Sequence, residues 1–186
     1  MLSVVIATQD SERGLLPTLA ALVAGATAGL IREVIVADAN SRDATIAIAD
    51  EAGCRVLASA LPHGARLKAA AGAARASWLL FLKPGVVLEA TWVEETRRFM
   101  EEAGLGKNAH VRAAVFRAAP RGSATLEAPA LLRAALAAWP DASQGLVIAK
   151  SLYDVLGGHG DVPAPERDLF RRLGRKRLLR LRTGAI

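Results

Sequence analysis

Residues able to do chemistry gather directly after short apolar runs. Thr8 and Asp10 close the run Leu2-Ser3-Val4-Val5-Ile6-Ala7, Asp38, Ser41, Asp43 and Thr45 follow Glu33-Val34-Ile35-Val36-Ala37, and Lys83 follows Trp78-Leu79-Leu80-Phe81-Leu82. A carboxylate at a strand end, such as Asp38, can accept hydrogen bonds from a base N–H or from ribose hydroxyls. Thr8, Asp10 and Ser41 would line the same pocket. A plainer use competes: Asp43 is a good N-cap for a following helix, Asn40-Ser41 suits a turn, and Thr8 and Asp10 suit loop capping. Gly64-Ala65-Arg66-Leu67-Lys68 opens an Ala-rich segment, so the free N–H groups of a helix start and two cations could face a diphosphate. A solvated helix face accounts for Arg66 and Lys68 almost as well. Late in the chain, Pro165-Glu166-Arg167-Asp168 puts two carboxylates where a helix begins, a position that also suits a cap or first-turn acid. His63 and His159 read as surface histidines.

These residues need elements to position them. The β-branched run ending at Thr8 predicts a buried strand, and Leu15, Leu16, Leu19, Leu22 and Val23 fall at helical spacing, with Pro17 tolerable in a first turn and Gly29 at the exit. Strands are expected at 33–37, 55–57 and 78–82, and helices at 44–52 and 64–76. This βαβαβαβ alternation means a mainly parallel sheet with helices on both faces. Beyond it, helices at 89–103, 126–138 and 151–156, strands at 111–118 and 146–148, a short helix from Glu166 and a final basic strand or helix complete the chain. In open parallel sheets ligands bind beyond the carboxyl ends of the strands, which is where the polar clusters fall.

Several function classes drop out. The glycine signature of dinucleotide-binding folds is missing after the first strand, where Gln9-Asp10-Ser11-Glu12 stands, and no phosphate-binding P-loop motif is present. The single cysteine, Cys54, cannot form an internal disulfide, and no Cys/His cluster has zinc-site spacing. The formal charge of +6 is a local feature: 16 basic and 17 acidic residues stand in positions 1–166, whereas 167–182 hold eight bases against Asp168. With 4% aromatic residues and no basic groove pattern, nucleic acid is not expected as a partner. The uncharged run 14–31 is diluted by Pro17, Thr18, Gly25, Thr27 and Gly29, so it predicts a buried helix rather than a membrane span. No signal-peptide pattern opens the sequence, which places the protein in the cytoplasm. The tail alternates Arg171, Arg172, Arg175, Lys176, Arg177, Arg180 and Arg182 with Leu173, Leu178, Leu179 and Leu181. It could pack its leucines on the domain or lie on the inner face of an anionic membrane.

Taken together, residues 3–8, 33–45 and 78–82 resemble the nucleotide-sugar half of family-2 glycosyltransferases, and Gln144-Gly145-Leu146-Val147-Ile148, Ser151 through Gly158 and Glu166-Arg167-Asp168-Leu169 resemble that family's acceptor-side segments in the same order. The resemblance implies a single GT-A domain over residues 1–186, a Rossmann-like three-layer α/β/α sandwich with a mainly parallel central sheet. Residues 1–104 would form its nucleotide-binding half and 105–186 its acceptor-side half. It implies a UDP- or GDP-sugar donor, an acceptor that the sequence does not identify, and inverting transfer. Asp38 would contact the nucleoside, Arg66 the phosphates, and Glu166 would take the place of the family's catalytic Asp, with Asp168 as the alternative base. The chain departs from the family where an Asp at the end of the fourth strand should hold Mg²⁺ or Mn²⁺. It has Lys83-Pro84-Gly85, with Gly85 at the ligating position, and no side chain there suits a hard divalent cation. A metal would need a ligand from elsewhere, or Lys83 would supply a fixed charge in its stead. The alternative to a transferase is a GT-A-like binding or regulatory module without activity, and a weaker one is a doubly wound nucleotide-binding protein unrelated to sugar transfer.

Overall fold

The computed structural model describes residues 1–104, 112–118 and 141–186. In chain order these form β1 (Leu2–Thr8), α1 (Glu12–Thr27), β2 (Ile31–Asp38), α2 (Thr45–Glu51), β3 (Arg55–Ala58), α3 (His63–Ala73), β4 (Trp78–Leu82), α4 (Trp92–Gly104), β5 (Ala113–Ala118), β6 (Leu146–Ala149), α5 (Lys150–Val155), α6 (Pro165–Leu173) and β7 (Leu178–Ala185). The helix expected at 126–138 lies outside the described residues. The strands make one sheet in the order β3-β2-β1-β4-β6-β5-β7. β1 pairs in parallel with β2 and β4, β2 with β3, and β5 with β7; β6 runs antiparallel to both β4 and β5. The sheet is thus mainly parallel, as the alternation implies, and becomes mixed where that alternation stops.

Burial on both faces explains why the central strands are continuous apolar runs. Leu2, Val4 and Ile6 of β1, with Val36, Leu80 and Leu82, pack under α1, α2 and α4 against Leu15, Leu22, Ala49, Trp92 and Phe99. Val5, Ile35, Leu79 and Phe81 point the other way, under α3, α5 and α6, against Leu67, Ala70, Tyr153, Leu169 and Phe170. The helix expected from leucine spacing starts earlier than those leucines, at Glu12, so Pro17 falls inside it rather than in its first turn. The start is set by a neighbouring loop: the Glu12 N–H donates to Asp43 Oδ2 (3.1 Å) and Glu12 Oε2 accepts from the Ala44 N–H (3.1 Å).

The basic tail resolves into a short 3₁₀ turn, Arg175–Arg177, and the edge strand β7. Leu181, Thr183 and Ala185 are buried, while Leu179 and the cations Arg180 and Arg182 face out. Residues 87–89 cover the outer side of β7: Val87 and Ile186 exchange backbone hydrogen bonds (2.9 and 2.8 Å), and the Glu89 N–H donates to the Gly184 carbonyl (3.0 Å). Glu89 Oε2 accepts from the Gly184 N–H (2.7 Å), and Glu95 Oε2 from the N–H groups of Arg182 (2.8 Å) and Thr183 (3.1 Å).

The first turn of α3 lies against the loop that leads into α6. A Cβ on Gly64 would sit 2.0 Å from the Gly160 carbonyl oxygen and 3.0 Å from Pro165 Cβ, so only glycine allows this approach. Gly64→Ala is expected to lower stability by about 1–3 kcal/mol through overpacking. Gly72→Ala, at the exposed end of the same helix where nothing lies within 4 Å, should be neutral or gain up to about 1 kcal/mol. Urea unfolding midpoints of the two variants check the contrast.

Candidate functional site

The loops after β1 and β2 are laced together at the carboxyl end of the sheet. Asp38, with no exposed surface, accepts from the Thr8 hydroxyl at Oδ2 (2.6 Å), from the Ser41 hydroxyl at Oδ2 (2.6 Å) and from the Ser41 N–H at Oδ1 (2.6 Å). The Asp10 N–H donates to Ser41 Oγ (2.8 Å), and Asp10 Oδ1 accepts from the Arg42 N–H (2.7 Å). Asp43 stands one residue before the N-cap position, which Ala44 occupies. It accepts from the Thr45 N–H (3.0 Å) and the Glu12 N–H (3.1 Å), so it serves the first turns of two helices without being the N-cap expected. These bonds pull Asp10 and Asn40 into left-handed backbone, φ 44° and 59°.

The structure gives Asp38 and Arg66 inward occupations in place of open ligand contacts. Arg66 is 7% exposed, and its guanidinium donates to the carbonyls of Thr8 (2.9 Å), Ala37 (2.7 Å) and Leu61 (3.2 Å). Burial pulls its pKa below the usual guanidinium value, opposed by the Asp38 charge. Arg66 therefore pins α3 to the ends of β1 and β2. Lys68 is exposed on the outer face of the helix. Asp10 and Ser41 remain at the surface of the loops.

A second cluster closes on Glu166 in the first turn of α6. Its Oε1 lies 2.9 Å from His63 Nε2 and 3.6 Å from Lys83 Nζ, so α3, the turn after β4 and α6 meet at one carboxylate oxygen. Burial alone would raise the Glu166 pKa. The hydrogen bond from His63, that from its own N–H and the positive charges of Lys83 and His63 outweigh burial and hold it at about 2. His63 went unrecognised in the sequence because its partner is 103 positions away and its only local signal is the glycine that follows. Asp168 is elsewhere engaged: it binds Arg171 (2.8 Å) and Arg172 (2.7 Å), and Arg172 also donates to the carbonyls of Leu156 and Gly158.

Behind Glu166 lies a narrow pocket lined by Ala7, Leu67, Phe81, Lys83, His159 and Phe170, among others, with an interior of about 30 Å³, room for one or two waters. His159 is not the surface histidine that its glycine-rich loop implies; it is 2% exposed. Its ring stands edge-on to Phe81 (centroids 4.8 Å apart), which stacks on Tyr153 (5.2 Å). The Tyr153 hydroxyl accepts the His159 backbone N–H (3.0 Å) and is hydrogen-bonded to the ring Nδ1 (2.9 Å). Gly158, at φ 70°, makes room: a Cβ there would meet the Tyr153 ring at 2.8 Å.

The residues present do not fit a divalent metal. Lys83 is a cation, Pro84 offers no donor, and Gly85 sits at φ 90°, a conformation an aspartate would resist. The Gly85 N–H is spent on the Gly14 carbonyl (2.8 Å) and Thr18 Oγ1 (3.0 Å). Among the described residues no group of three or more His, Cys, Asp or Glu could hold a metal ion.

Burial holds the His159 pKa down to about 4; Glu166 opposes the shift, and His63 and Arg172 reinforce it. A group protonated in the unfolded chain but neutral in the fold makes stability fall as pH drops. The loss should begin near pH 6.5 and level off near pH 4, reaching at most about 3 kcal/mol. The lowered carboxylates Glu33, Asp43, Glu166 and Asp168 add their losses only below about pH 4.5. Thermal unfolding across pH 4–7 checks this, and His159→Asn should flatten the slope in that window.

The sequence model of the family described as glycosyl transferase family 2 matches residues 3–124, about two thirds of the chain. None of the curated proteins compared matches. Among solved structures, residues 1–349 of TarS from S. aureus superpose with a TM-score of 0.73 at 16% identity, covering 97% of this chain and 57% of that one. TarS 1–349 in complex with UDP-GlcNAc gives 0.71 at 17%, with 97% and 55% covered. Glucosyl-3-phosphoglycerate synthase from Mycobacterium tuberculosis, in complex with Mn²⁺ and UDP-glucose, gives 0.68 at 18%, with 97% and 68% covered. The chain thus spans little more than half of the TarS fragment. Identities this low carry the fold, which is the GT-A arrangement. The sequence match carries the membership: the chain belongs to glycosyl transferase family 2.

Proposed function

We propose that the chain transfers a sugar from a nucleoside-diphosphate donor to a hydroxyl acceptor, with inversion and without a divalent metal ion between protein and diphosphate. On this reading residues 1–104 take the donor and the later part of the chain the acceptor. The observation that carries it is the meeting of Lys83 and Glu166 at the mouth of one pocket, a cation for the leaving diphosphate beside a carboxylate for the attacking hydroxyl. The acceptor oxygen bonds to the anomeric carbon as the carbon–diphosphate bond breaks. The diphosphate leaves with the electron pair, and Glu166 takes the hydroxyl proton. Asp10 and Ser41, on the laced loops, meet the nucleoside. Thr8, Asp38 and Arg66 act behind them as positioning residues. TarS and glucosyl-3-phosphoglycerate synthase, the second with Mn²⁺, are solved with UDP-sugars, which supports a donor of that class. A second reading, a binding module without transfer, is favoured by the narrowness of the pocket and by the low proton affinity of Glu166.

Calorimetry with UDP, GDP and their sugars tests the first reading. Mn²⁺ should change the affinity by less than tenfold, about 1.4 kcal/mol. A larger gain means that another residue supplies a metal ligand. Glu166→Ala should keep donor binding and lose turnover, and a wild-type chain that binds donor yet never turns over is the module.

We also propose a membrane contact through the tail. β7 is a strand of the sheet, so truncation after Gly174 would remove part of the fold. Exposed Lys176 and Arg177 would each contribute on the order of 1 kcal/mol at an anionic surface. Charge reversal of both to Glu should reduce sedimentation with phosphatidylserine vesicles at low salt and leave nucleotide affinity unchanged. Equal sedimentation of the two chains removes the contact.

A further inference from the structure

We propose that in the free protein the Glu166 carboxylate stands in for the donor's diphosphate between His63 and Lys83, and that the arriving diphosphate displaces it. The inference deepens the proposed function and rests on its assignment of Lys83 and Glu166 to the reacting pocket. Two groups from separate elements, His63 Nε2 and Lys83 Nζ, converge on one Glu166 oxygen at 2.9 and 3.6 Å, as they would on a phosphate oxygen. His63 is also the first residue of the eleven-residue α3, whose N-cap Pro62 gives no side-chain hydrogen bond and whose first turn carries no acid of its own. Among the described residues the turn that follows β4 offers no side-chain oxygen to a metal, so Lys83 and His63 are the donors brought to a diphosphate there. The Glu166 carboxylate lines this pocket and already occupies the point where the two groups meet, so an anion that bonds to both takes its place. Glu166 can yield, because its side chain is 20% exposed, sits at the start of α6 and has one more rotatable bond than an aspartate.

The exchange has a chemical consequence. While bound to His63 and Lys83, Glu166 is a poor proton acceptor, since those partners keep its pKa low. Once the diphosphate takes both partners, the carboxylate remains partly buried without the charges that stabilised its ionised form, and its proton affinity rises. Donor binding therefore switches on the base, and the acceptor is activated only on a loaded site.

Calorimetry with inorganic pyrophosphate and with UDP, on the full chain, tests the exchange. Glu166→Gln removes the internal anion and keeps the shape, so it should bind pyrophosphate at least threefold tighter than wild type. Lys83→Ala and His63→Gln should each bind at least tenfold more weakly. Adding Lys83→Ala to Glu166→Gln should erase the gain. Equal or weaker pyrophosphate binding by Glu166→Gln overturns the inference while leaving the transferase reading in place. Pyrophosphate binding by any chain without UDP binding removes the nucleoside reading and keeps the exchange. A third measurement stands whether or not the variant folds: pyrophosphate should move the His63 ring resonances of wild type in NMR spectra, and unmoved resonances overturn the proposal.

Discussion

A carboxylate shut away from water, Asp38, occupies the end of β2, and the shape of the sheet's mouth follows from how it is satisfied. A buried charge that lost a partner would cost several kcal/mol, so its surroundings are fixed by necessity. Thr8 reaches it from β1 and Ser41 from the loop beyond, and both hydroxyls bond it at 2.6 Å. Arg66 answers the charge from α3, and being buried itself, it must place its donors on the carbonyls of Thr8, Ala37 and Leu61. One buried anion thus ties two strand ends, two loops and a helix into a rigid frame. The surface residues of those loops, Asp10 and Ser41, inherit their positions from it.

That frame divides the labour between hidden and open residues. The residue types that catch the eye at a strand end, an Asp with an Arg nearby, turn inward and hold the loops. The open cluster is made by groups carried further along: Lys83 after β4, His63 at the start of α3 and Glu166 in α6. The dense aromatic packing of Phe81, Tyr153 and His159 forms the floor beneath them, and its burial disfavours charge on the imidazole.

Local pattern and long-range contact explain what could be read in advance. The strands expected at 2–8, 33–37 and 78–82 were legible because a strand covered on both faces must be apolar throughout, and the order of the polar clusters followed from that, though β2 proved longer, Ile31–Asp38. The antiparallel β6 was not legible, because four apolar residues carry no sign of direction. Nor was the burial of His159: two neighbouring glycines describe a loop, and only the contact between Gly158 and Tyr153 shows that the loop folds inward. The roles of Asp38 and Arg66 depended on hydrogen bonds spanning 30 and 58 residues, beyond any periodicity. That Asp43 serves the start of α2 was visible because its bond to the Thr45 N–H is local, whereas its bond to Glu12, 31 positions away, was not.

The carboxylates of Glu89 and Glu95 along the outer side of β7 bear on how the chain behaves in company. An edge strand with idle amides is a template to which a strand of another molecule can add. Here the amides of Arg182, Thr183 and Gly184 are taken by these two side chains, and residues 87–89 pair with the rest of that margin. A stranger approaching this border finds carboxylates already seated and a rim of arginines that repels a second copy of itself. The margin of the sheet is sealed by side chains of its own domain, which guards a stretch rich in leucine against the zippering that its composition alone would invite.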